Sequence, residues 1–119
     1  MADETDVRAT ARFVAMSPQK TRLVIDLVRG RRAKEALEIL RFSKKSAAQP
    51  VYKVIHSALA NAEKNFGLDP DEMIVARIWA DEGPVRRWRR YGARGRFKPI
   101  LRRASHITVI LRERPGAAG

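Results

Sequence analysis

The chain has no cysteine. That excludes a disulfide framework, a cysteine zinc site and a thiol nucleophile, and it fits a reducing cytoplasm. Its two histidines, His56 and His106, lie far apart and offer no metal-ligand spacing, so neither a metal nor a cofactor is expected. No glycine-rich phosphate loop is present; Gly95-Arg96 does not continue as a P-loop. No apolar run approaches the ~20 residues that a membrane-spanning helix needs, so no membrane partner is expected. The first residues, MADETDVR, are acidic and polar, unlike a secretory or mitochondrial targeting segment. Acids are scarce throughout: 13 Asp and Glu stand against 25 Lys and Arg, a net charge of +12. No internal repeat or domain boundary interrupts the 119 residues, and the expectation is one domain, 1–119.

The charge is concentrated in GPVRRWRRYGARGRFKPILRR, residues 83–103. This stretch carries Arg86, Arg87, Arg89, Arg90, Arg94, Arg96, Lys98, Arg102 and Arg103 and no acid, nine of the twelve net positive charges. Trp88, Tyr91 and Phe97 lie among them. Guanidinium forks bind phosphates two contacts at a time and stack on bases, and the rings offer a second stacking surface. A merely solubilising face does not require so many like charges, whose mutual repulsion calls for a polyanion. Nucleic acid is therefore the leading partner, ahead of an anionic membrane surface.

The rest of the chain reads as α+β. Val7–Val14 alternates, with Val7, Ala9, Ala11 and Phe13 on one side and Arg8, Thr10 and Arg12 on the other, and predicts a strand. Ser17-Pro18 is a helix start; Leu23, Val24, Leu27 and Val28 follow as an apolar stripe, and Gly30 is a stop. A short helix is expected over Ala33–Phe42. A long one, capped by Ser46, should run to about Asn65 with Val51, Val54, Ile55, Ala58, Leu59 and Ala62 as its core stripe. Met73–Asp81 predicts a strand with Ile74, Ala76, Ile78 and Ala80 on one face and Val75, Arg77 and Trp79 on the other; Ile107, Val109 and Leu111 mark the return strand. The expected architecture is three helices packed on a small antiparallel sheet with a long protruding β-hairpin. The globular part spans about 7–82 and 104–112, and the basic hairpin about 83–103, turning near Tyr91-Gly92-Ala93. Such an isolated two-stranded ribbon is marginal in water, which implies that something encloses it.

RNA contacts are expected on the hairpin from Arg86, Arg87, Trp88, Arg89, Arg90, Tyr91, Arg94, Arg96, Lys98, Arg102 and Arg103, and around the globule from Lys20, Arg22, Arg29, Arg31, Arg32, Lys44 and Lys45. Trp79, where strand meets globule, is better read as a packing residue than as an RNA contact. His56 suits a helix surface and His106 a structural hydrogen bond. Asp81 and Glu82 are adjacent on a strand, so they point to opposite faces and cannot flank one reacting bond. Two rivals remain open: a DNA-bending protein, which would need dimerisation and apolar wedges, and a ribonuclease built on His106.

Five motifs carry a family resemblance: SPQKTRLVIDLVRG (17–30), EALEIL (35–40), NAEKN (61–65), DEGP (81–84) and SHITV (105–109). Their order and spacing resemble large ribosomal subunit protein twenty-two of bacterial type, over about residues 7–112. The resemblance implies a non-enzymatic, cytoplasmic structural protein that binds large-subunit ribosomal RNA as a monomer within the ribosome. It also implies a globular part near the mouth of the nascent-peptide exit tunnel and a hairpin lining the tunnel wall. Ribosomal protein four would lie opposite, with the nascent peptide passing and macrolide antibiotics binding nearby. The hairpin departs from the family pattern at two places. Arg86-Arg87-Trp88 stands where Met-Lys-Arg is common, and Tyr91, Gly92 and Phe97 depart from the usual tip run.

Overall fold

The computed structural model describes residues 6–14, 16–83, 86–91, 97–102 and 104–114; residues 13, 86–91 and 97–102 are described by backbone alone. Among the described residues, three helices cover one face of a three-stranded antiparallel sheet. The strands are β1 (Val7–Val14), β2 (Met73–Glu82) and β5 (Ser105–Glu113), in the order β1-β5-β2. The helices are α1 (Pro18–Val28), α2 (Ala33–Arg41) and α3 (Ala48–Phe66). Two further strands, β3 (Arg86–Tyr91) and β4 (Phe97–Arg102), pair with each other.

Several helix ends have a local cause. At α1 the Ser17 hydroxyl accepts the Lys20 amide at 3.4 Å and Pro18 fills the first turn. Gly30, at φ 81°, takes the left-handed conformation just beyond the helix and donates its N–H to the Val75 carbonyl at 3.0 Å. Gly67 ends α3 at φ 63°. The cap of α3 is Ala47 rather than Ser46, without a side-chain bond.

The α3 stripe packs as the sequence predicts, with Val51, Ile55, Ala58 and Ala62 fully buried. The predicted α1 stripe packs only in part, through Val24 and Val28. Thr21, Val24, Ile25 and Val28 are buried, whereas Leu23 and Leu27 are 56% and 44% exposed. Both sets have helical spacing. The buried one is masked in the sequence by Thr21, whose hydroxyl is satisfied by donating to the Ser17 carbonyl at 3.1 Å.

The sheet has a similar correction. Met73, Ile74 and Val75 pair with Glu113, Arg112 and Leu111, but Arg77 pairs with Ile110, so Ala76 is an extra residue. This bulge resets the alternation: Met73 and Val75, not Ile74 and Ala76, join Ile78 and Ala80 in the core. β5 is central, with Ile107, Val109 and Leu111 fully buried, and Ser105 Oγ donates to the Met16 carbonyl at 2.6 Å.

β2 leads into β3 and β4 into β5, so the hairpin continues the sheet strands outward. At the junction Gly83 donates to the Ala104 carbonyl at 2.8 Å. A Cβ on Gly83 would lie 3.3 Å from Ala104 and from His106 Nε2, tight enough to favour glycine. Tyr91 pairs with Phe97; the turn expected near Tyr91-Gly92-Ala93 falls on residues 92–96, outside the described residues. The molecule measures 70 × 30 × 21 Å with a radius of gyration of 17.4 Å, against ~13 Å for a compact domain of this length.

Ile55→Ala should cost roughly 2–5 kcal/mol through the cavity it opens. Leu23→Ala, at an exposed site on α1, should stay within about 0.5 kcal/mol. Urea denaturation of both variants checks the packing; equal losses would contradict the buried stripe assigned to α1.

Candidate nucleic-acid interface

In the hairpin, register brings like charges together. Arg86 stands opposite Arg102 and Arg90 opposite Lys98, with Arg87, Trp88 and Arg89 opposite Leu101, Ile100 and Pro99. Like charges directly opposite one another destabilise an antiparallel pair, and neither arm has a carboxylate to relieve them. Anions from outside the chain would relieve that repulsion. Of the expected hairpin contacts, Arg94, Arg96 and Arg103 lie outside the described residues.

The globular cations divide into two groups. Arg22 and Arg29 project from α1 to the free edge of β2, donating to the carbonyls of Ala80 at 3.0 Å and Ile78 at 3.1 Å. Arg29 also pairs with Asp26 at 2.8 Å. Farther along, Gly30 donates to Val75 O, Val75 donates back to Arg31 O at 2.8 Å, and Arg32 bridges to Ile74. One side of the α1–α2 connection thus closes the β2 edge, which would otherwise present unpaired backbone groups to any passing strand. Arg31 binds its own helix end at Leu27 O and pairs with Glu35 at 2.8 Å. Lys34 pairs with Asp71, whose hydrogen bond and charge hold the lysine pKa above its ordinary 10.5.

Lys20, Arg32, Lys44 and Lys45 form the second group. All four are exposed, and among the described residues their side chains make no hydrogen bond or ion pair. Of the globular contacts that the sequence predicts, they are the ones most open to an external phosphate. Arg22, Arg29 and Arg31 are exposed as well, but part of their hydrogen-bonding capacity is already committed to the fold.

The sheet adds cations that the sequence reading left off its site. Arg8 and Arg77 are exposed on the face away from the helices, and Arg12 is exposed farther along β1. Arg8 and Arg77 lie over the Trp79 ring, 5.9 and 5.3 Å from its centroid. Alternation along each strand already marked Arg8 and Arg12 on one side of β1, and Arg77 and Trp79 on one side of β2. Only the insertion of β5 between them shows that both sides form one surface. Trp79 is half-buried there, and its indole N–H donates to Asp81 Oδ2 at 3.0 Å. Glu82 is exposed at the hairpin base. His56 lies on the exposed side of α3, stacked on Tyr52 with centroids 6.0 Å apart. Among the described residues no His, Cys, Asp and Glu cluster has the makings of a metal site, and no helix is long and apolar enough to cross a membrane.

The two groups of cations should separate by experiment. Arg29→Met should lower stability by about 1–2 kcal/mol in urea titration, because it removes a charged donor from a β2 carbonyl. Lys45→Ala should leave the urea midpoint in place. The opposite ranking would mean that the β2 edge is not held from α1.

An acid-free hairpin with opposed like charges, a helical layer bracing its root and exposed lysines on the globule together describe a protein shaped around a folded polyanion. Comparison with known families agrees with that shape, for the profile of ribosomal protein L22p/L17e matches residues 9–112; the chain belongs to the ribosomal protein L22p/L17e family.

Proposed function

We propose that this chain is a structural, non-catalytic protein whose hairpin enters the RNA of the large ribosomal subunit while its globular part docks at the subunit surface. Family membership makes it a ribosomal, RNA-binding protein of the large subunit and a component of translation. The observation that carries the mechanism is the hairpin register, which sets Arg86 against Arg102 and Arg90 against Lys98 with no internal anion. Phosphates on either side of the two strands would neutralise these residues and hold distant RNA segments together.

The finer reading extends the resemblance in the motifs. The protein is of the bacterial type and acts in the cytoplasm, as a single domain with an extended hairpin and as a monomer within the ribosome. The hairpin lines the exit tunnel for the nascent peptide, with ribosomal protein four opposite. Contacts come from the basic residues of 86–103 and from Lys20, Arg22, Arg29, Arg31, Arg32, Lys44 and Lys45. The aromatic residues Trp88 and Tyr91 supply stacking surfaces. What supports this is the elongated shape and the charge of the hairpin.

Binding to large-subunit ribosomal RNA should weaken steeply with salt, by about 0.7–0.9 log units per log unit of salt for each phosphate contact. Deleting Val85–Lys98 should remove several units of that slope; an unchanged slope would mean that the hairpin is not the phosphate contact. A parallel titration with duplex DNA separates a DNA-bending role, and intact RNA after long incubation argues against a ribonuclease.

Deleting Arg86-Arg87-Trp88 shortens one arm by three residues and shifts its pairing. Subunits should still assemble, held by the globule and the remaining arginines, while macrolide sensitivity or peptide-dependent stalling changes. Growth with and without a macrolide, beside a stalling-peptide reporter, measures both. Normal assembly with neither response altered would count against a tunnel-lining hairpin.

A further inference from the structure

The helices cover one face of the β1-β5-β2 sheet. On the opposite face, the register aligns Arg8, Ile110 and Arg77 in one row and Thr10, Thr108 and Trp79 in the next. Arg8 and Arg77 belong to the two outer strands and converge on the Trp79 ring between them. Arg12, beside the register shift of β1 between Ala11 and Val14, is exposed as well.

These three guanidinium groups differ from the other arginines of the sheet. Arg112 is held in a two-pronged pair with Asp6, at 2.7 and 3.1 Å. Arg114 pairs with Glu72 at 2.8 Å. Arg8, Arg12 and Arg77 pair with no carboxylate among the described residues. The nearby acid, Asp81, already accepts the indole N–H of Trp79. A guanidinium within ~6 Å of an indole centroid gains cation–π attraction, which uses none of its N–H donors, so these can still serve an anion. The indole, held by Asp81, is therefore a platform that pre-orders two arginines.

We infer that this open sheet face is a second RNA-backbone site, in which Arg8, Arg77 and Arg12 grip phosphates and Trp79 holds the first two in place. The inference rests on the proposed ribosomal RNA binding and assigns part of it to a surface distinct from both the hairpin and the α1 side. Charge complementarity selects the occupant. Arginines that pair with no carboxylate among the described residues suit a polyanion, and guanidinium geometry suits phosphate. The site also lies on the strand that carries the hairpin, since β2 leads into β3.

The test uses the full-length protein, transcribed large-subunit ribosomal RNA and binding isotherms over a range of salt. Arg8→Gln combined with Arg77→Gln should lower the log–log slope by about 1.4–1.8, two contacts at 0.7–0.9 each. Arg12→Gln, remote from the indole, should lower it by roughly one contact even if the double variant folds poorly. Urea midpoints of all variants establish that the fold is kept. Loss of steep salt dependence in the unaltered protein would overturn the proposed RNA binding itself. Steep binding by the unaltered protein, with the same slope in Arg12→Gln and in the folded double variant, would overturn the sheet-face site alone. Unchanged RNA slopes together with loss of a neighbouring protein from crosslinked subunits would overturn it in favour of a protein contact.

Discussion

The structure depends on one strand pairing. β5, near the end of the chain, inserts between β1, near the beginning, and β2. Its inward residues Ile107, Val109 and Leu111 are fully buried under the helices, so the helical layer and the sheet form one hydrophobic unit. Because β2 and β5 are also the roots of the hairpin, whatever packs against them sets the direction in which β3 and β4 leave the globule. A two-stranded ribbon alone would be marginal; here its base inherits the order of a three-stranded sheet with a covered face.

The free edge of β2 has its own constraint. Arg22, Arg29 and the 30–32 connection occupy carbonyls and amides along it, from Ile74 to Ala80. An exposed edge next to a highly basic hairpin would be a hazard for strand-to-strand association. Closing it with arginine forks uses residues that also keep the surface positive. The same residue type thus serves two ends: some guanidinium groups complete the backbone hydrogen bonding of the fold, and others, such as Arg12 and Arg77, are left without carboxylates among the described residues.

Electrostatics divides the molecule in the same way. In the globule many cations have local anions: Arg29 with Asp26, Arg31 with Glu35, Lys34 with Asp71, Arg112 with Asp6 and Arg114 with Glu72. Most of these pairs are exposed and contribute little to stability, but they reduce the positive field of the globule. The hairpin has no acid at all. Its charge is unbalanced by design of the sequence, which is why a partner rich in phosphate completes it.

The sequence by itself determined the elements and the partner class. Period-two runs at β1 and β5, the 3.6-residue stripe of α3 and the Ser17-Pro18 start are local patterns, and local patterns are readable without neighbours. The acid-free run 83–103 is equally local, since net charge needs no fold to be counted. What only the tertiary structure decided is where two patterns of equal merit compete or where distant segments meet. Thr21 with Val24, Ile25 and Val28 outcompeted the more apolar Leu23 and Leu27 because a buried hydroxyl with a carbonyl partner costs little. The bulge at Ala76 turned Met73 and Val75 inward because one extra residue reverses every side chain that precedes it. The roles of Arg22 and Arg29 at the β2 edge, and the meeting of Arg8 and Arg77 over Trp79, arise from segments far apart in the chain. No local pattern encodes such a meeting, because it exists only once β5 has paired on both sides and the helices have closed over one face.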